Sequence, residues 1–363
     1  MRILNLFLFC FGCLFFISPA FGQQPDSTAG SEEEDYSAYG SAEESVKYCT
    51  QKVRFLSPTK LISVGFEAQM PFKASFPLEE QFKDKNQIPD RNQSVTFFGG
   101  ARWAANAPVI SNNKFILNVG ASYYESNIRF KEDESVNNFF EPQLKSALSR
   151  GLRTMGINVT AFKPLDDKHF LIGSLISDFN GNFGWNTMQD AFPMPTWTFA
   201  VLYGWKRNDN TMLAFGATQT WRGGEKLYVP LLMYNKTFND RWGLEILAPA
   251  RAHVRYNFSA SSLLLLGYEI EGNSYRLFRG QENFESGSGG GRFLEIRRSE
   301  IKPRIIFEQK LMGFIWLSAQ VGYRYNFKFG ITEDRSSERG DFLYRGNFGN
   351  PLYGAISINL VSP

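Results

Sequence analysis

Histidine and cysteine are scarce in this sequence: two histidines, His169 and His253, and three cysteines serve 363 residues. Two of the cysteines, Cys10 and Cys13, lie in the extreme N-terminal stretch, so Cys49 alone remains once that stretch is removed. A single thiol excludes an intramolecular disulfide and a cysteine-based metal cluster. Long apolar runs are missing too. Beyond the N-terminus they are only a few residues long, as at Leu263–Leu266, which excludes a membrane protein built from spanning helices. No Gly-x-Ser-x-Gly occurs, and no carboxylate pair stands apart from the other charges, so nothing marks a hydrolase nucleophile or an acid–base couple. With a near-balanced net charge of +3, no nucleic-acid partner is expected, and no cofactor motif is present. The glycine-rich Gly287–Gly291 lacks the strand and helix of a phosphate loop and reads as a surface loop.

Aromatics are abundant instead. They make up 16% of the chain, with 35 Phe, while the mean hydropathy is only −0.28. Apolar side chains must therefore be spread thinly rather than gathered in blocks.

The N-terminus is the exception. Arg2 precedes an apolar run from Ile3 to Ile17, broken by Ser18-Pro19-Ala20-Phe21-Gly22, whose small residues suit signal peptidase. Residues 1–22 thus read as a cleaved export signal; a lipoprotein signal ending at Cys13 matches less well. Residues 23–60 form an acidic lead, with Ser31-Glu32-Glu33-Glu34-Asp35 at its centre, too polar to bury a core and expected to be disordered. Residues 61–363 form the remaining domain.

There the pattern turns to alternation. Ile315, Leu317, Ala319, Val321, Tyr323, Tyr325, Phe327 and Phe329 share one parity, against Trp316, Ser318, Gln320, Gly322, Arg324, Asn326 and Lys328 on the other. Successive strand side chains point to opposite faces, so the segment is apolar on one side and polar on the other. Phe115–Tyr123 and Trp197–Trp205 repeat the parity, as do Val95, Phe97, Gly99, Ala101 and Trp103 against Thr96, Gly100 and Arg102. Short polar connections at Asp166-Asp167-Lys168, Asn208-Asp209-Asn210, Asn239-Asp240-Arg241 and Ser259-Ala260-Ser261 alternate with longer ones at Pro71–Asn92, Lys131–Arg150, Asn180–Pro195, Leu277–Arg292 and Ile331–Asn350. Short turns at one end and long loops at the other are the signature of an outer-membrane barrel. The fold expected is all-β: a transmembrane, antiparallel, up-and-down β-barrel of about fourteen strands, or twelve if Ala248-Pro249-Ala250 is a kink rather than a turn.

Polar parity then marks the lumen. Glu245, His253, Arg255, Glu269, Glu271, Lys302, Arg304, Glu308, Arg324 and Lys328 are the lining candidates. They form either a salt-bridge network filling a narrow lumen or a selectivity lining. Asp178-Phe179-Asn180-Gly181-Asn182 begins like a calcium loop but lacks the required Gly and Glu, so it reads as a loop tip. Expected partners are outer-membrane lipid, lipopolysaccharide and the barrel-assembly machinery. Three functions follow. The leading one is a narrow passive pore or structural barrel in the bacterial outer membrane. The second is a transporter of hydrophobic compounds, which needs an N-terminal plug; Val46, Tyr48, Val53, Phe55 and Leu56 are its few apolar residues. The third is a barrel enzyme, for which His253 is the sole base on a strand.

The segment Gly243-Leu244-Glu245-Ile246-Leu247-Ala248-Pro249-Ala250-Arg251-Ala252-His253-Val254-Arg255-Tyr256-Asn257-Phe258-Ser259, with the ending Gly349-Asn350-Pro351-Leu352-Tyr353-Gly354, resembles an uncharacterised Bacteroidetes-type outer-membrane barrel family. The resemblance implies the barrel and no activity. The chain departs from many barrels in ending Leu360-Val361-Ser362-Pro363 rather than on an aromatic residue.

Overall fold

The computed structural model describes residues 49–50, 52–75, 92–131, 142–184, 194–222, 225–278, 293–333, 342 and 344–362. The described residues all belong to one compact unit, Val46–Pro363. The expected export signal, the acidic run around Glu33 and the glycine-rich Gly287–Gly291 lie outside the described residues.

The strands are β1 (Lys60–Gln69), β2 (Phe72–Ser75), β3 (Asn92–Asn112), β4 (Phe115–Phe130), β5 (Leu152–Pro164), β6 (His169–Gly181), β7 (Met194–Asn208), β8 (Thr211–Arg222) and β9 (Glu225–Thr237). After them come β10 (Trp242–Ala248), β11 (Arg251–Ser259), β12 (Ser262–Phe278), β13 (Phe293–Met312), β14 (Ile315–Tyr323), β15 (Tyr325–Glu333), β16 (Tyr344–Arg345) and β17 (Leu352–Val361). Among the described residues a helix, α1 (Pro142–Ser149), precedes β5. β1–β2, β14–β15 and β16–β17 are each one interrupted stave, so the wall has fourteen antiparallel staves. β1 pairs with β17, with Phe66 opposite Ile356, and this pairing closes the barrel. Closure leaves no open sheet edge, which a lipid environment requires. Pro249-Ala250 is the tight turn between β10 and β11, which gives fourteen staves rather than twelve.

The parity expected from the sequence sets the two faces. Val64, Val201, Ile356 and Ile358 point outward and are 55–60% exposed. A continuous apolar exterior of this kind belongs in hydrocarbon and not in water. Near the short turns the exterior carries aromatics in edge contact: Trp242 with Tyr256 at 4.7 Å and Tyr256 with Phe258 at 4.9 Å. Such a ring fits a membrane interface.

The parity fails at two places, and a β-bulge explains each. Thr96 is the extra residue where β3 pairs β4, and Phe327 is the extra residue where β15 pairs β13. One inserted residue reverses every later side chain. Val95 and Phe329, expected on the outer face, are therefore buried inside. They join Phe98, Ile128, Leu277, Ile296, Ile331 and Phe348 in an apolar cluster that packs on Ala147 and Leu148 of α1. Residues 178–181, expected in a loop tip, belong to β6. Asn182 beyond them donates from its amide to the carbonyls of Ala147 and Phe278, both at 3.0 Å, tying α1 to β12.

The last part of the acidic lead is not a free tail. Residues 49–59 run past the short-turn ends of successive staves. Cys49 N donates to Asp166 O at 2.9 Å, Arg54 N to Asp209 O at 2.9 Å, and Thr237 Oγ1 to Arg54 O at 2.6 Å. Asn257 Nδ2 donates to Phe55 O at 3.2 Å. Cys49 and Val53, with Leu56, pack on the inward Phe162, Phe170, Leu202 and Met212.

Candidate functional site

The lumen is chemically two-sided. The inward positions of β5 to β9 near the short turns are mostly apolar, with Lys206 and Thr237 as buried polar exceptions, and are covered by the residue 49–59 segment. The inward positions of β10 to β13, β1 and β3 carry charges, as does Arg324 in the break after β14. This follows from strand period: Arg298, Glu300, Lys302 and Arg304 alternate along β13 and so share one face. Glu269 and Glu271 face them from β12, with Glu269 directly opposite Lys302 and Glu271 opposite Glu300.

The like-charged pair Glu271–Glu300 is relieved by cations on either side. Lys302 Nζ binds Glu271 and lies 3.5 Å from Glu269. Arg304 Nη1 donates to Glu269 at 2.5 Å, and its Nε to His253 Nε2 at 3.4 Å. Arg298 binds Glu300 and donates from Nε to Asn326 at 2.9 Å. Arg324, at the break between β14 and β15, donates from Nη1 to Glu300 at 2.8 Å and from Nη2 to Glu67 on β1. Arg102 of β3 completes the chain, donating to Glu67 at 2.9 Å. Buried charges persist only when paired in this way.

A second, smaller group joins the lumen to the N-terminal segment. Arg255 is wholly buried and donates from Nη1 to Glu245 at 3.0 Å and from Nη2 to Thr237 at 2.9 Å. Gly243 makes room for it, since a Cβ there would collide with the guanidinium. Glu245 also accepts from Ser57 N at 2.9 Å and Ser57 Oγ at 2.6 Å. Lys60 Nζ pairs with Glu308 at 2.6 Å.

Between these walls is a cavity of about 430 Å³, lined among others by Arg102, Tyr124, Asp178, Glu271, Arg298 and Arg324. Glu245, His253, Arg255, Glu269, Glu271, Lys302, Arg304, Glu308 and Arg324 all face inward in the two groups. Lys328 does not. The bulge at Phe327 turns it to the outer face beside Ser299, where it is exposed with its ammonium 5.9 Å above the Phe342 ring. Glu67, Arg298 and Glu300 were not anticipated, although Glu67 shares its parity with Ser63 and Gly65, a polar register readable along β1. Tyr353 was also missed; its buried ring lies 5.1 Å from the Arg324 guanidinium.

No family model matches the chain, and no curated protein does. Among solved structures it is similar to a FadL homologue of Pseudomonas aeruginosa, with 11% identity, TM-score 0.39, 83% of this chain and 90% of that one. It is also similar to the P. putida toluene transporter TodX, at 8% identity, TM-score 0.33, and 84% and 91% coverage. A triple mutant of the Rhodopseudomonas blastica porin gives 9% identity, TM-score 0.21, and 82% and 99% coverage.

Proposed function

We propose that the protein is a bacterial outer-membrane barrel that holds a passage for small polar solutes shut with its own N-terminal segment. The observation that carries this reading is the segment at residues 49–59, strapped beneath a charged lumen by hydrogen bonds to the Asp166 and Asp209 turns, to Thr237 and Asn257, and to the Glu245 carboxylate. A purely structural barrel has no need of a cavity bordered by a paired charge network. A lining of alternating sign suits hydrated solutes. The lipid-facing belt supplies the contact with outer-membrane lipid.

Planar-bilayer recording tests the reading. The mature chain is expected to be silent or nearly so. Deletion of residues 23–59 is expected to give discrete current steps, and Ser57→Ala with Lys206→Ala brief ones. If both variants fold, as judged by heat-modifiable gel mobility, and both stay silent, the barrel is closed and the passage reading fails.

A further inference from the structure

Every charged side chain lining the cavity except Asp178 makes an ion pair, Arg298 and Arg324 sharing Glu300. Lys60 pairs with Glu308, Arg102 with Glu67, Arg298 and Arg324 with Glu300, Arg304 with Glu269, and Glu271 with Lys302. Asp178 has neither an ion pair nor a hydrogen bond among the described residues, although it lines the same cavity.

Its surroundings are shaped around the carboxylate. Asp178 on β6 is directly opposite Gly156 on β5, which in turn pairs with Ser122 on β4. A Cβ on Gly156 would come within 2.5 Å of both Asp178 Oδ1 and Ser122 Oγ, so the two oxygens converge over the space that the missing side chain leaves. Tyr124 and Thr154, the next inward residues on their strands, also line the cavity. A partly buried carboxylate with no ion-pair partner favours either a bound cation or its own neutral form. Hydroxyls and a ring beside it suit the N–H groups and compact charge of an ammonium. Among the described residues no group of three His, Cys, Asp or Glu could hold a metal ion.

We propose that Asp178 is the counter-ion of a binding site for a small solute bearing a primary ammonium, held over Gly156 with Ser122, Tyr124 and Thr154 around it. This deepens the passage reading by naming the class of solute, and it rests on that reading only for how the solute enters.

The test is equilibrium dialysis of the refolded full chain in detergent micelles against radiolabelled ethanolamine. Sodium chloride and ethylene glycol, which resembles ethanolamine without its charge, serve as competitors. Saturable ethanolamine binding is expected, insensitive to glycol and to equimolar sodium. Asp178→Asn should weaken it by roughly tenfold to a hundredfold, the worth of a charge-assisted hydrogen bond. Asp178→Glu, which keeps the charge, should retain most of it. Heat-modifiable mobility checks that each variant is folded. Absence of saturable binding by the wild type overturns the proposal, as does equal binding by folded Asp178→Asn. Displacement by equimolar sodium overturns it in favour of an inorganic ion. Binding is read without current, so silence of both folded release variants in the bilayer would refute the passage and leave this result standing.

Discussion

Arg324 on the thirteenth stave grips Glu67 on the first, 257 residues away, reaching past the intervening β17. The same guanidinium holds Glu300 on the other side, so one side chain ties three regions of the chain together at the place where the barrel closes. Its position follows from the interruption between Tyr323 and Tyr325, which lets the side chain sit almost fully buried across the seam.

Removing that side chain should weaken the closure. Arg324→Met leaves Glu67 with Arg102 alone and Glu300 with Arg298 alone, in a lumen poorly able to solvate the excess negative charge. A loss of roughly 3 kcal/mol is expected, at the low end for breaking a buried pair. Urea titration of the vesicle-inserted barrel measures it. Adding Glu67→Gln should restore part of the loss, because it removes a carboxylate that has lost a partner. If the double variant is no more stable than Arg324→Met, the two residues are not coupled across the seam.

Cys49 reports on the N-terminal segment. The thiol is buried, and burial pushes its pKa above the ordinary value, with Lys206 partly offsetting the rise. The reactive thiolate is therefore scarce at neutral pH. Maleimide labelling of the folded protein is expected to be slow at pH 7 and to accelerate well into the alkaline range. Lys206 Nζ holds the segment through Thr50 Oγ1 at 2.6 Å and Lys52 O at 2.9 Å. Lys206→Met should release it and raise the labelling rate at pH 7 by roughly tenfold or more, as expected when a local opening loses two charged hydrogen bonds. Wild-type labelling as fast as that of a free thiol would show that the segment is not held.

Strand alternation made the barrel, its lipid face and most of its inward charges legible in the sequence, because a period of two is a local property. The exceptions are the places where a non-local decision intervened. Whether Thr96 and Phe327 bulge depends on the register of the partner strand, and no residue near them announces it; the inward turn of Val95 and Phe329 and the outward turn of Lys328 all follow from those two insertions. The segment at residues 49–59 was obscure for another reason. Val53 and Leu56 are too few to suggest a core alone, and they acquire one only against Phe162, Phe170 and Met212 of the wall. Asp178 looked like part of a loop because Asn-Gly-Asn follows it, yet its strand continues to Gly181.

The short turns carry a testable pH signature at Asp166. Its Oδ1 accepts the backbone N–H of His169 at 2.6 Å and of Lys168 at 2.7 Å, and its Oδ2 lies 2.7 Å from His169 Nδ1. Those hydrogen bonds, the one from the His169 backbone first, lower the pKa from the ordinary 3.8 to about 2. A carboxyl whose folded value is depressed contributes stability that is fully present above the unfolded value and fades as pH falls through the folded one. The turn should thus keep its geometry at pH 5 and loosen between about 3.8 and about 2. A carbon NMR titration of the Asp166 carboxyl, assigned with Asp166→Asn, should show a midpoint near the lower value. A midpoint at the ordinary value would mean that the backbone donors do not engage it.

Substitutions on one strand can separate the two faces of the wall. Val201 lies near the middle of β7, points outward and is 60% exposed, while Ala200 beside it points into the lumen and is paired with Thr218. Val201→Arg places a charge in the apolar belt, where the cost near the bilayer midplane is roughly 2–4 kcal/mol. Val201→Leu keeps the belt apolar and should be close to neutral. Ala200→Ser adds only a hydroxyl to a stretch already lined by Thr198, Ser174 and Thr218, so it too should change little. Reversible unfolding from lipid vesicles in urea separates these cases. The arginine penalty should shrink in detergent micelles, whose apolar layer deforms around a charge more readily than a bilayer. Equal stability of Val201→Arg and Val201→Leu in vesicles would mean that this face does not meet lipid.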